Sequence, residues 1–181
     1  MPDAVRILDY DPGWPELFRA LAERVRTALG SAVIAVEHVG STAVPGLVAK
    51  PVIDLDIVVL PQNFRLAIER LASLGYAHEG DRGVVGREAF RWPAGEGRHH
   101  LYLCAPDSPA LRDHLLFRDY LRAHPETARA YADLKLELAR RNVDDRTGYQ
   151  SAKSGFVEAV TRQAAEALPD GSAGDGQPSS G

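Results

Sequence analysis

The chain has 181 residues, 45% hydrophobic and 25% charged, with a formal net charge of −4 at pH 7. That length and balance predict one globular domain over residues 1–168 with a sizeable core, and they exclude the broad positive field that a duplex-binding protein or an anionic-membrane binder needs. Its single cysteine, Cys104, excludes an internal disulfide framework or a cysteine-rich zinc site.

No apolar run approaches the ~20 residues of a membrane span, and residues 1–6 lack the apolar core of a signal peptide, so a cytoplasmic protein is the default expectation. Residues 5–10 read as a short strand, turned by Asp11-Pro12-Gly13. A helix is predicted over 14–29, with Pro15 in its first turn, Gly30 as its cap, and Trp14, Leu17/Phe18, Leu21, Val25 and Leu29 as its buried stripe. Strands follow at 32–39 and 52–60, separated by a small-residue loop from Ser41 to Lys50. Residues 64–74 form a second helix, 76–79 a weak strand, and 86–92 with 98–104 a hairpin around a Gly-rich connection. Ser108-Pro109 opens a helix to about 123, Pro125 starts another that ends near Arg140-Arg141, and a third covers about 147–168. The stretch 170–181 holds nothing worth burying and reads as a disordered tail.

The chemistry concentrates between Val36 and Val59. Side chains alternate along a strand, so Asp54 and Asp56 share one face while Ile53, Leu55 and Ile57 share the other. Two carboxylates about 7 Å apart on an apolar strand repel each other. A divalent cation resolves that repulsion, and Mg²⁺ or Mn²⁺ suits carboxylate oxygens combined with substrate phosphates. Gly40 and Ser41, at the end of the preceding strand, offer backbone N–H groups and a hydroxyl to phosphate oxygens. The bland alternative is that one acid caps a turn or pairs with Lys50 while the other faces water.

Gly40-Ser41 followed by Asp54-Leu55-Asp56 resembles the signature of the nucleotidyltransferase superfamily typified by DNA polymerase beta. That resemblance implies a turn that holds a nucleoside triphosphate and paired acids that carry Mg²⁺ for in-line attack on phosphorus. Five further motifs are similar to the GrpB family: Tyr10-Asp11-Pro12-x-Trp14-Pro15, the run His38 to Leu47, Ala49-Lys50-Pro51-x-Ile53-Asp54, Phe117 to Arg122, and Tyr131-x-x-x-Lys135. The family resemblance covers about residues 5–165. It implies an α+β fold of the nucleotidyltransferase type: a mixed sheet with flanking helices and a helical C-terminal part. It also implies an NTP and an unidentified acceptor as partners, with a link to coenzyme A biosynthesis through the family's fusions to dephospho-CoA kinase.

One departure stands out. The superfamily usually draws a third carboxylate from a later strand, and the natural strand here, His99-His100-Leu101-Tyr102, has none. Glu88 on the preceding strand and His100 are the two candidates to complete the site, His100 as a base near neutral pH. Lys50, Arg118 and Lys153 are candidate nucleotide contacts, and Arg87 and Arg91 are further possible phosphate contacts; a salt bridge or a packed, snorkelling side chain is the simpler fate of each. Tyr149 sits one helical turn from Lys153. His38 is expected to brace the Gly-Ser turn, while His78, His114 and His124 show no ligand spacing. A non-catalytic nucleotide- or CoA-type binding module on the same fold is the alternative function.

Overall fold

The structure, a computed structural model, describes residues 6–168 apart from Ala94, Glu96 and 142–145; the side chains of 141–150 and 152 lie outside that description. Residues 170–181, read above as a disordered tail, also lie outside it. The elements in chain order are α1 (Trp14–Leu29), β1 (Val33–Val39), β2 (Ile53–Val59), α2 (Phe64–Ser73), β3 (Ala77–His78), β4 (Arg87–Arg91), β5 (His99–Cys104), α3 (Pro109–Ala123), α4 (Pro125–Arg141) and α5 (Arg146–Glu166). The helices and strands fall where the sequence periodicity places them. The exception is the expected N-terminal strand, which contributes only a bridge between Leu8 and Ala49. Asp11 turns the chain at once, its side chain accepting the Gly13 N–H at 2.8 Å, and this leaves no room for a longer ladder.

The five strands lie in the order β1-β2-β5-β4-β3. β2 runs parallel to β5, and the other pairings are antiparallel, so the sheet is mixed. Together with the helices this is an α+β fold. Register fixes the two faces. Leu55 lies beside Leu101, while Asp54 lies beside His100 and Asp56 between Glu37 and Tyr102.

One face carries the main core. Leu55, Ile57, Leu101 and Leu103 are fully buried there against Ala22, Val25 and Leu29 of α1 and Ala67 and Leu71 of α2. The other face is covered at one end, where Leu111 of α3 packs on Val58 and Cys104. A second apolar cluster joins the helices to the loop after β1: Val44 and Leu47 sit among Phe117, Leu121, Tyr131 and Val160. The loop that carries Ser41 is therefore held by the helical part of the chain rather than by the sheet alone.

Candidate functional site

The site grows from the junction of β1, β2 and the loop between them. Gly40 has φ +72°, a backbone state that L side chains rarely adopt, and it ends β1. A side chain there would collide with Asp54: a Cβ would lie 2.9 Å from the Asp54 Cγ. Glycine is thus required twice, once for the turn and once for the close seat of the Asp54 carboxylate. His38 braces the turn from beneath, as expected. Its Nε2 donates to Thr42 Oγ1 at 3.0 Å, Thr42 donates onward to the Val52 carbonyl, and Phe18 stacks on the ring. Burial, with the Arg122 and Arg118 charges adding to it against Asp54, lowers the His38 pKa to about 4, so the ring is neutral at pH 7.

Asp54 and Asp56 share the face that register dictates, in different surroundings. Asp54 is half-buried and accepts from His100 Nδ1 at 2.7 Å. Asp56 is fully buried; its Oδ2 accepts from His114 Nδ1 at 2.7 Å, while its Oδ1 has no hydrogen-bond partner among the described residues. Burial raises the Asp56 pKa, and the bond to Asp56 raises that of His114 against its own desolvation. The pair therefore keeps hold of one proton. Tyr102, beside Asp56, is pushed up to about 12 by burial and by the charge on Asp54, and remains a phenol.

These residues fit a divalent cation. A buried, orphaned carboxylate oxygen costs about 1–3 kcal/mol, and a cation would satisfy it. Asp54 is seated against backbone in a cradle that a Cβ would fill. Among the described residues no group of three or more His, Cys, Asp and Glu side chains converges as a complete metal cage.

Behind the Gly40-Ser41 turn stands a residue that sequence reasoning left without a role. Lys135 of α4 is 2% exposed, and its ammonium donates to Ser41 Oγ at 3.1 Å and to the Val48 carbonyl. Burial, with the nearby charge of Lys153 adding to it, pushes its pKa down to about 7. Lys153 of α5 is half-buried; burial lowers its pKa, and the charge of Asp54 acts the other way. Two ammonium groups thus converge behind the Gly40-Ser41 turn. The signal for Lys135 was its place in the Tyr131-x-x-x-Lys135 motif, with no indication of what it faced.

Other expected site residues fall elsewhere. Glu88 does not join the acids: it pairs with Leu103 in register, on the opposite face of the sheet, and binds His78 Nε2 at 2.7 Å. Strand alternation forbids it from reaching Asp54 without a register slip. Arg118 is committed within the protein, donating to Glu37 at 2.8 Å, to the His38 carbonyl at 3.1 Å and to both oxygens of Asp119. Arg122 makes two bonds to the Ala43 carbonyl, at 3.0 and 2.7 Å. Arg118 and Arg122 therefore grip the backbone on either side of Gly40-Ser41 instead of reaching out to a phosphate. Lys50 is half-buried in the loop before Pro51. The side chain of Tyr149 is outside the described residues.

His114 is the second residue sequence spacing missed, because it reaches Asp56 only through the packing of α3. Glu37 is the third. Antiparallel register sets it directly opposite Asp56, on the side away from β5, and Arg118 neutralises it. His99, by contrast, is a satisfied core histidine: its Nδ1 donates to the Gly97 carbonyl at 2.8 Å, and its Nε2 accepts from the Tyr76 hydroxyl at 2.7 Å.

The family described as GrpB protein matches residues 4–163. The chain belongs to the GrpB family. It is 36% identical over 161 residues to the UPF0157 protein YqkA of Bacillus subtilis, covering 88% of this chain and 47% of that one. A dephospho-CoA kinase of Mycobacterium tuberculosis is 31% identical over 185 residues, covering 87% of this chain and 45% of the relative. The chain thus spans about half the length of these two relatives. Among solved structures, GrpB from Enterococcus faecalis superposes with a TM-score of 0.81 at 31% identity, covering 89% of this chain and 98% of the other. Cid1 in complex with a UTP analog matches with a TM-score of 0.52 at 15% identity, over 74% of this chain and 43% of that one. The GrpB fold is accordingly nucleotidyltransferase-like. No helix among the described residues is long and apolar enough to cross a membrane.

Proposed function

We propose that this GrpB protein binds a nucleoside triphosphate with Mg²⁺ or Mn²⁺ and transfers its nucleotidyl group to a hydroxyl-bearing acceptor. The observation that carries the reading is the meeting of opposite charges across one glycine turn. Asp54 and the orphaned Asp56 Oδ1 lie on one side, and Ser41 with the buried Lys135 and the half-buried Lys153 lies on the other. When bound, the cation would be held by Asp54 and Asp56 and would supply charge neutralisation at the reacting phosphoryl group.

The chain's own residues do the rest. Gly40 and Ser41 orient the triphosphate through the N–H groups and hydroxyl of the turn, and Lys135 and Lys153 balance its charge. The acceptor oxygen bonds to the α-phosphorus, the bond to the bridging oxygen breaks, and pyrophosphate leaves. His100, half-exposed and fixed by Asp54, receives the acceptor proton. Titration calorimetry of the Asp54→Asn/Asp56→Asn double variant with an NTP and Mg²⁺ tests the assignment. Loss of the Mg²⁺-dependent part of binding is expected, and unchanged binding would overturn it.

A second reading has its own support. On β5 the positions beside Asp54 and Asp56 are His100 and Tyr102, so the site lacks an acid on that strand. A protein that binds a nucleotide- or CoA-type ligand without transferring it would need none. The sequence similarity to dephospho-CoA kinases gives that reading a chemical direction. Incubation with labelled NTP, Mn²⁺ and a cell extract separates the two: label transfer supports the enzyme, and ligand binding with no transfer supports the module.

A further inference from the structure

The site face of the sheet does not stop at His100 and Tyr102. Beyond β5, strand alternation puts Arg87, Ala89 and Arg91 of β4 on the same face as the acids, with Ala89 beside Tyr102 in register. Arg87 is the unusual member. Its guanidinium lies 4.2 Å from the centroid of the Tyr102 ring, and its Nε is buried with no hydrogen-bond partner among the described residues. The side chain as a whole is half-buried, so its far end reaches solvent. By contrast, Arg82 binds Glu79 at 2.8 Å and the exposed Arg91 lies 3.7 Å from the same carboxylate.

A guanidinium stacked on an aromatic face is held in plane while its N–H edge stays available for a fork-shaped oxyanion. Cys104 lies beside Arg87 in register, with Ala89 and Tyr102 next along the same face. Arg87 lies close enough for its charge to act on Asp56, which puts it within reach of the reacting centre. The two basic groupings are separate. Lys135 and Lys153 stand behind the Gly-Ser turn, while Arg87 stands across β5 from β2, with Asp54, Asp56, His100 and Tyr102 between.

We infer that Arg87 receives an oxyanion carried by the acceptor substrate, so that the acceptor is a phosphorylated or carboxylated hydroxyl compound rather than a neutral one. This rests on the nucleotidyltransferase reading of the acid pair. It adds a second anion site on the far side of the acids from the triphosphate, so the acceptor hydroxyl enters between the two anions with His100 beside it.

The buried Nε–H of Arg87 provides its own probe. The full chain, loaded with a non-hydrolysable nucleoside triphosphate analogue and Mg²⁺, is titrated with inorganic phosphate and separately with acetate. The Arg87 Nε–H resonance and the Gly40 and Ser41 amides are followed by NMR. The expected result is a saturable shift at Arg87 on adding phosphate or acetate, the tighter of the two ions naming the acceptor's group. With the Ala89 and Tyr102 backbone amides followed in both proteins, Arg87→Gln should raise the half-saturating concentration about tenfold or more, in line with loss of a charge-assisted fork. A silent Arg87, an unchanged half-saturation in Arg87→Gln, or an Arg87 shift already complete with the analogue alone would overturn the inference. If the Gly40 and Ser41 amides ignore the analogue, the nucleotide reading itself fails, and the ion response at Arg87 still decides the oxyanion site separately.

Discussion

The two faces of the sheet are made from the same strands and obey opposite rules. On one, Leu55, Ile57, Leu101 and Leu103 are sealed beneath α1 and α2, and the buried polar group near them, His99, has both ring nitrogens satisfied. On the other, a single register step away, stand Asp54, Asp56, His100, Tyr102 and Arg87, with two buried polar atoms lacking partners. Unsatisfied polar groups cost stability, and proteins concentrate them where a ligand completes the bonding. The apolar face holds the sheet together; on the function proposed above, the polar face spends part of that stability on a receptive site.

Substitutions on each face should break that contrast in graded fashion. The largest effect belongs to the sealed face. Leu55→Ala removes a fully buried side chain from the centre of β2 and should cost about 3 kcal/mol in denaturant unfolding. Gly40→Ala, at φ +72° and against Asp54, should cost about 2 kcal/mol and also weaken Mg²⁺-dependent nucleotide binding, because Asp54 must move. An equal loss of stability with intact binding would show that the seat of Asp54 is irrelevant to the ligand.

His38 lies beneath the turn and gives a pH test. Its folded pKa is lowered to about 4 from 6.5, so the unfolded chain binds the proton more readily between those values. The stability it contributes is present above pH 6.5 and is lost as pH falls toward 4. Thermal melts across that window should show a decline that His38→Gln flattens. The smallest effect is expected at the exposed pair Arg65–Glu69 on α2, where Glu69→Ala should change stability by less than about 0.5 kcal/mol.

Much of this was legible one residue at a time. Alternation in Ile53-Asp54-Leu55-Asp56-Ile57 separates the two faces before any partner strand is known, since a pleated strand has no other choice. Gly40-Ser41 announces a turn after an apolar strand, and the periodicity of residues 14–29 yields α1 with its boundaries. Alternation also has a limit, seen at Glu88. Its own strand cannot say which of two faces is the site, and only pairing with Leu103 places it on the wrong one.

The sequence by itself therefore determined the elements, the acid pair and the glycine turn, because each depends on dihedral preferences and periodicities within a few residues. The tertiary structure alone decided the company they keep. Lys135 stands 94 residues from Ser41 and His114 stands 58 from Asp56, and local spacing carries no trace of either contact. Both depend on the packing of the helical part of the chain against the site: α3 through Leu111 on Val58 and Cys104, and α4 through Tyr131 in the cluster with Val44 and Leu47. Nonlocal burial of that kind turned a strand with two acids into a site with two balanced sides.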